Sequence, residues 1–328
     1  MHRKLLPAAI KAAFTGLAIW WVLRSVDLSA SWRAAQAIDP LLAMAACLMV
    51  VIQIFLGMVR WRVVTRALGL AMPFRRMCAI CYSSTFFGIA LPGGAGGDAV
   101  RIWMASRAGL PASRVFSSVL LERGVTILGL TLLVTATEPL LLARFPNLPA
   151  PWLFPALTAG GLIGFGVLCL LDRVPPPLRR WRLIRGLALM AADARTLLRD
   201  MRRFSLALGI SILGHVNLSL AVYALAVGMA LNVQITDCLV LVPPVILAAT
   251  LPISIAGWGV RETAMVAAFG AIGVSSASAF VLSVLYGLVC IVTSLPGGVV
   301  WLAQNGRPMR SREEASAVSN LASGAVGR

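Results

Sequence analysis

The sequence contains few charged residues. Only 12% of its 328 residues are charged, whereas a soluble domain has about 25%; an ordinary soluble domain is therefore excluded. Hydrophobic residues make up 59% of the chain, and several apolar runs reach the roughly 20 residues that a helix needs to cross a bilayer. We predict an all-α polytopic membrane protein with about six spanning helices. The predicted spans are Leu5–Leu23, Leu41–Val59, Val115–Thr137, Trp152–Leu171, Phe204–Ala230 and Ala277–Leu302.

Lysine and acidic residues are also scarce, so the net charge of +17 comes almost entirely from arginine. A basic excess can indicate nucleic-acid binding, anionic lipid or membrane topology. Most arginines lie in residues 60–76 and 173–203, between apolar runs, as the positive-inside rule expects of cytoplasmic loops. The sequence lacks the basic face interleaved with aromatic residues that is typical of nucleic-acid binding. We therefore expect two cytoplasmic segments and no nucleic-acid partner.

Motifs for metal, nucleotide and hydrolytic chemistry are missing. There is no HExxH motif, no metal-ligand cluster and no G-x-S-x-G motif. The glycine-rich stretch LPGGAGGD lacks the GKS/T of a phosphate-binding loop. The six cysteines lie in or beside apolar runs, which makes a secreted disulfide framework improbable. The sequence thus predicts no cofactor, no metal and no catalytic residue.

Two apolar stretches are too short to span a bilayer. Met77–Leu91 and Asp237–Leu251 have about 15 residues each and would extend only about 22 Å as helices. Both end in Leu-Pro, and the second contains Pro243-Pro244, which should break or kink a helix. We predict that each stretch crosses half of the membrane.

The segments that follow these stretches resemble each other. LPGGAGGDAVR (91–101) and LPISIAGWGVR (251–261) match without gaps at Leu, Pro, Gly, Val and Arg. Farther on, GLPASRVFSSVLL (109–121) resembles GVSSASAFVLSVLY (273–286). Chance recurrence of small residues is the less plausible explanation. We predict an internal repeat with halves at about 41–137 and 204–302.

Charge placement predicts how these segments fold. If Met77–Leu91 crossed the whole bilayer, the two basic segments would lie on opposite sides, against the positive-inside rule. A re-entrant hairpin returns the chain to the cytoplasm, and a second hairpin enters from the outer face. This gives an inverted-topology repeat, a recurrent transporter design, with both termini cytoplasmic.

The predicted domain organisation follows from this topology. Residues 1–303 form the transmembrane domain, 172–203 form a basic cytoplasmic loop, and 304–328 form a disordered cytoplasmic tail. Within the loop, Gly186–Arg203 is compatible with an amphipathic helix on the lipid surface and equally with a solvated linker helix.

Charged residues accompany both glycine breaks. Backbone that is not helical survives in a membrane only inside protein or beside a cavity, and N–H groups at a helix start favour an anion. Arg101 and Arg261 follow their breaks by one turn and suit a phosphate group. Asp98 and Glu262 are nearby, so structural ion pairs explain the same charges equally well.

Glu122 and Arg123 lie within a predicted span, where burial of a charge requires a partner. Adjacent helical residues are about 100° apart and pair poorly with each other, so we expect each to have a partner on another segment. Arg101 or Arg261 is a natural partner for Glu122. His215 and Asn217 are expected to form hydrogen bonds between helices.

The stretches LPGGAGGDAVRIWMASRAGL, SSVLLERGVTILGL and LPISIAGWGVRETAMVAAFGAIGV resemble the signature regions of the lysylphosphatidylglycerol synthase transmembrane-region family, which includes the flippase domain of the multiple peptide resistance factor. The resemblance implies an integral protein of the bacterial inner membrane that handles an anionic-headgroup lipid, with a separate lipid-synthesis enzyme as a possible partner. The corresponding substrate-binding positions are Gly93, Gly94, Gly96, Gly97, Asp98, Arg101, Glu122, Arg123, Gly257, Gly259, Arg261 and Glu262.

Two departures from the family pattern matter. The chain ends soon after its last helix, so we expect no aminoacyl-transferase domain and no lysine transfer from tRNA. Relatives often carry consecutive glycines where this chain has Ser254-Ile255-Ala256, so the second hairpin is expected to be stiffer.

A lipid flippase or transporter is the leading hypothesis. A membrane enzyme or accessory protein of lipid or glycolipid modification is the alternative, and a scaffold without a substrate is the third.

Overall fold

A computed structural model describes residues 38–90, 96–144, 152–170, 182–250 and 259–305. Within these ranges the chain forms ten α-helices and no strand, which confirms the all-α class. The helices are α1 (Pro40–Ala67), α2 (Phe74–Ala90), α3 (Gly96–Arg107), α4 (Ala112–Arg144), α5 (Leu153–Leu170), α6 (Arg182–Arg199), α7 (Met201–Gly228), α8 (Ile235–Thr250), α9 (Val260–Gly270) and α10 (Ser276–Asn305).

Five of these helices, α1, α4, α5, α7 and α10, are long and apolar enough to cross a membrane. They coincide with five of the six predicted spans. The remaining prediction, Leu5–Leu23, lies outside the described residues, as does the tail after Asn305. The helices fit a multi-pass membrane protein.

The two short apolar stretches form short helices, as predicted. The lengths of α2 and α8 are 17 and 16 residues, or about 25 Å, which is less than the hydrocarbon core of a bilayer. Of the predicted break or kink at Pro243-Pro244, the break was wrong, because α8 continues through both prolines, and the kink stays a prediction. Val242, Pro243 and Val245 are buried, and this packing retains the helix although two backbone donors are missing.

The centre of the fold is an antiparallel pair, α1 and α7. The Asp39 backbone N–H donates to the Gly228 carbonyl oxygen over 2.9 Å, so the start of α1 meets the end of α7. Farther along, the Asn217 side-chain amide donates to the Met49 carbonyl oxygen over 2.8 Å. The side chain of Gln53 packs against Gly214, and a Cβ atom built on Gly214 would lie only 3.0 Å from Oε1 of Gln53. The two 28-residue helices therefore lie together along most of their length.

The arginine-rich segments meet at one end of this pair, which we call the basic end. There the last turn of α1 lies beside the first turn of α7. Arg114, at the start of α4, donates to the Leu68 carbonyl oxygen just after α1 and pairs with Asp193 of α6 over 3.3 Å. Because α1 ends and α4 begins at the basic end, α2 and α3 leave this end and return to it.

The helices α2 and α3 form an antiparallel hairpin through a close backbone contact. A Cβ atom on Gly97 would lie 3.0 Å from the Cα atom of Gly88 and nearer still to the Ser84 carbonyl oxygen. Toward the basic end, Met104 of α3 shares a buried apolar cluster with Met77 and Ile80 of α2. Glycine at position 97 thus lets the two backbones touch.

The same succession of helices occurs twice. The lengths of α1 to α4 are 28, 17, 12 and 33 residues, and those of α7 to α10 are 28, 16, 11 and 30 residues. The helices α3 and α9 are each followed by a glycine of positive φ, Gly109 (96°) and Gly273 (87°). The first helices of the two successions, α1 and α7, are antiparallel and so point in opposite directions.

The basic segment at 182–203 is divided between two helices. Asp200 caps α7 by accepting from the Arg203 backbone N–H, so the predicted Gly186–Arg203 helix in fact ends at Arg199. Ala194 and Leu197 of α6 are buried in the bundle, while Leu187 and Leu189 remain exposed. The helix therefore packs across the basic end and keeps an apolar surface outside.

We expect Gly97→Ala to destabilise the α2–α3 hairpin by about 1–3 kcal/mol, because the new methyl group overlaps the α2 backbone. Thermal unfolding of the purified protein in detergent measures this as a lower Tm. Gly164→Ala is the matched control, since a Cβ atom there meets no atom within 4 Å. Equal Tm values for the two variants would contradict the backbone contact.

Candidate functional site

A buried carboxylate joins three helices near the basic end. Glu122 of α4 is 4% exposed. Its Oε1 accepts from Arg60 of α1, with Nε at 2.6 Å and Nη2 at 2.5 Å, and its Oε2 lies 3.3 Å from Nη1 of Arg101 in α3. We call these three residues the arginine–glutamate cluster. Of the two partners predicted for Glu122, Arg101 or Arg261, the structure shows Arg101.

The neighbours of Arg101 hold its guanidinium group in place. The Trp61 ring lies 5.3 Å from the Arg101 Cζ atom, a cation–π distance. Trp61 is itself fixed, because its Nε1–H donates to Ser118 Oγ over 3.2 Å. A long hydrogen bond of 3.4 Å joins Arg101 Nε to Ser84 Oγ of α2. Arg101 is thus positioned by α1, α2 and α4 together.

The arginine–glutamate cluster has two positive groups and one negative group. Arg101 is its more accessible arginine, with 16% of the side chain exposed against 9% for Arg60. Its ion pair is also the longer one, and its Nη2 has no hydrogen bond to any described residue. A buried charge in excess is costly, so an incoming anion would be stabilised beside Arg101.

The two other charged residues predicted for the site in the first half, Asp98 and Arg123, form a separate pair. Asp98 accepts from the Nε–H of Arg123, which links α3 to α4. Asp98 is therefore not the partner of Arg101. Glu122 and Arg123, although adjacent, face different partners on other helices, as their angular separation predicts.

The second half contains a charge cluster of another kind. Nη2 of Arg261 lies 2.7 Å from Oε1 of Glu262. The other oxygen of Glu262 accepts from the Gly259 backbone N–H at 2.5 Å, and Ser283 donates to Oε1 over 3.2 Å. These adjacent residues pair because the Glu262 side chain folds back over the start of α9, whose capping residue is Gly259.

The charges of Arg261 and Glu262 balance each other, and the carboxylate is enclosed, while 12% of the Arg261 side chain is exposed, close to the 16% of Arg101. Glu262 is 1% exposed, and its two oxygens are engaged by a guanidinium group, a hydroxyl group and a backbone N–H. The Tyr286 ring lies 5.6 Å from the Arg261 Cζ atom. The structural ion pair that the sequence analysis gave as the alternative to a phosphate site is therefore present between Arg261 and Glu262.

The predicted glycines have different positions. Gly93, Gly94 and Gly257 lie outside the described residues. Gly96 and Gly97 form the first turn of α3, where Gly97 is buried against α2. The backbone of Gly259 has a φ of 85°, which favours glycine at this cap. The anion-binding role of these glycines stays a prediction.

Arg60 was missed by the sequence reasoning, which assigned it to a cytoplasmic loop. The helix α1 continues past the apolar run to Ala67, so Arg60 and Trp61 are buried against α4. Arg60 directly follows the predicted span Leu41–Val59. This position at the end of an apolar run, together with the need of Glu122 for a cationic partner, could have indicated that Arg60 is buried.

The polar residues of α7 make the predicted contacts between helices. His215 Nε2 lies 3.2 Å from the Thr126 carbonyl oxygen, and Asn217 bonds to α1 as described above. A carbonyl oxygen can only accept, so Nε2 of His215 carries the proton in this contact. Within the described ranges, no group of three or more His, Cys, Asp or Glu side chains is placed to hold a metal ion.

Long apolar helices around buried ion pairs define a polytopic helical membrane protein. The family model for the Lysylphosphatidylglycerol synthase TM region matches residues 8–297. The chain belongs to this family, which confirms the resemblance and connects the protein with membrane lipids. No curated protein matches the chain.

Replacing Glu122 by Gln leaves Arg60 and Arg101 without a carboxylate, and we expect the free energy of unfolding to fall by about 3–5 kcal/mol. Heating the detergent-purified variant, followed by size-exclusion chromatography, measures the fraction that stays folded. Glu138→Gln is the control, because Glu138 lies buried in the same helix without an ion pair to the described residues. A Glu122→Gln variant as stable as this control would show that the ion pairs are energetically unimportant.

Proposed function

We propose that the protein moves a lipid with an anionic headgroup across the membrane, and that the headgroup phosphate binds Arg101. The observation that carries this proposal is the excess of one positive charge in the buried arginine–glutamate cluster. Phosphate and guanidinium groups pair through two parallel hydrogen bonds, and Arg101 has an unused nitrogen for such a contact. Membership of a lipid-related membrane family supports the lipid as the source of the phosphate.

The two halves have different parts in this proposal. The charges of the Arg261–Glu262 pair cancel and its carboxylate is buried, so this pair serves to hold the start of α9. The arginine–glutamate cluster is cationic and has an accessible member. The headgroup therefore binds at the first hairpin, and the second hairpin supplies the opposing wall of the path.

The proposed path depends on an inverted repeat with two re-entrant hairpins. Three observations support it: α2 and α8 are too short to cross, α2 and α3 return to the end from which they leave, and corresponding helices α1 and α7 are antiparallel. Interrupted helices that enter from opposite faces bring two half-paths together near the midplane, as in many transporters. The basic end faces the cytoplasm in this arrangement, and the membrane is the bacterial inner membrane.

A liposome assay tests the transport step. The purified protein is reconstituted with fluorescent phosphatidylglycerol or phosphatidylcholine, and a membrane-impermeant reductant measures how fast each label reaches the other leaflet. Because a hydrogen bond between charged groups contributes about 1.5–3 kcal/mol, Arg101→Gln should slow phosphatidylglycerol movement at least about 10-fold. Arg107→Gln is the control, since Arg107 is exposed on the same helix and lies over Trp103.

The outcomes of this assay are distinct. Per folded molecule, Arg261→Gln should retain more transport than Arg101→Gln, because its ion pair is structural. Equal rates for Arg101→Gln and the Arg107→Gln control would remove Arg101 from the path. Failure to move phosphatidylglycerol, glycolipid and polyprenyl-phosphate labels alike would contradict transport. Mass spectrometry of the recovered lipids reports any chemical change, which would favour the alternative of a lipid-modifying enzyme.

Cysteine labelling tests the inverted repeat separately. Ala112 and Ser276 are the exposed first residues of α4 and α10, and each is replaced by cysteine in a variant in which the six native cysteines are alanine. A membrane-impermeant maleimide should label Ala112→Cys from the cytoplasmic face and Ser276→Cys from the outer face. Labelling of both from one face would exclude the inverted arrangement.

A further inference from the structure

A basic cavity lies where the end of α1 meets the start of α7. Its volume is about 470 Å³, within the range of small-molecule sites. It is separate from the arginine–glutamate cluster, because Arg66 is six residues beyond Arg60 on α1, about 9 Å along the helix and about 120° around it. The lining residues are Val63, Arg66, Asp200, Arg202, Arg203 and Leu206.

The charges of this cavity are unbalanced. Asp200 is its one acidic group and is already engaged, since Oδ2 pairs with Arg203 at 2.6 Å and Oδ1 accepts from the Arg203 backbone N–H. Arg66 and Arg202 are exposed and form no ion pair with any described residue. Two guanidinium groups, one from each helix, therefore face a shared space whose single carboxylate is already paired with Arg203.

The position of Arg202 adds to this imbalance. It lies in the first turn of α7, where the helix dipole disfavours a cation and favours an anion. The first N–H groups of a helix also lack partners within the helix, and Asp200 satisfies the one at Arg203. An anion between α1 and α7 would relieve the repulsion and complete these contacts.

The apolar residues beside the cavity point to a lipid. Val63 and Leu206 line it together with the arginines. Leu206 and Leu213 are exposed on one face of α7, 52% and 55% respectively, and Gly209 between them leaves open space where a side chain would be. This face starts at Arg202 and continues as an apolar track away from the basic end. A phosphate group joined to acyl chains has the matching order of charged and apolar parts.

We propose that the basic cavity binds the phosphate of an anionic phospholipid, which bridges Arg66 of α1 and Arg202 of α7 and lays an acyl chain along Leu206 and Leu213. Each arginine belongs to one member of the central antiparallel pair, so the bound lipid clamps that pair at the basic end. This site is independent of transport through the arginine–glutamate cluster.

Thermal unfolding in mixed micelles tests the site. Dioleoylphosphatidylglycerol, dioleoylphosphatidylcholine or inorganic phosphate is titrated into the purified 328-residue chain, and Tm is recorded. Phosphatidylglycerol should raise Tm in a saturable way, whereas the zwitterionic lipid and inorganic phosphate should not. In the Arg66→Gln/Arg202→Gln variant, half-saturation should need about 10-fold more phosphatidylglycerol, since two exposed ion pairs, each contributing up to about 1 kcal/mol, are lost.

The control is Arg75→Gln/Arg76→Gln, which removes the same charge from two exposed arginines outside the cavity. It should keep the half-saturation point of the unaltered protein. Native mass spectrometry, which counts retained phosphatidylglycerol molecules, gives a second readout if the Arg66→Gln/Arg202→Gln variant changes Tm by itself. An equal shift in both double variants would overturn the proposal. So would an equal shift with phosphatidylcholine or inorganic phosphate, because either would exclude recognition of an anionic lipid.

Discussion

The pairing of two arginines with the single carboxylate of Glu122 is the interaction on which the first half depends. It joins α1, the returning helix of the first hairpin and α4 at a single buried carboxylate. Arg60 holds this carboxylate at 2.5 Å and Arg101 at 3.3 Å, so the two arginines are not equivalent. The tight pair fixes α1 against α4, and the looser pair leaves the hairpin with a cation that an anion can engage.

The second half also pairs an arginine with a buried carboxylate, but the arrangement is different. Its carboxylate, Glu262, lies next to its arginine in the sequence and caps the helix that carries both. The corresponding helices of the halves thus agree in length and order while their charge balance differs. The first half has a cationic cluster and the second half has a neutral ion pair, and this difference in charge distinguishes the surroundings of α3 from those of α9.

Much of the fold was predictable because hydrophobic length sets where a helix can lie. Five predicted spans, both short helices and the family follow from apolar runs and the LPGGAGGDAVR signature. Arg60 was not predictable in the same way, since the positive-inside rule reads an arginine after an apolar run as a loop residue, whereas tertiary contact with Glu122 keeps it in α1. Pro243-Pro244 failed as a break for a similar reason: packing overrode a local preference. The pairing of Asp98 with Arg123 needed the geometry of two helices, which spacing alone does not supply.

The order of the cluster along the chain has a consequence for biosynthesis. Arg60 precedes Glu122 by 62 residues, and Arg101 precedes it as well. At a synthesis rate of about 5–20 residues per second, the carboxylate follows Arg60 by about 3–12 s. Arg101 precedes Glu122 by 21 residues, so for about the last 1–4 s of that interval both arginines are present and their counter-charge has not been made. The arginine–glutamate cluster can therefore close only after the first turns of α4 have been synthesised.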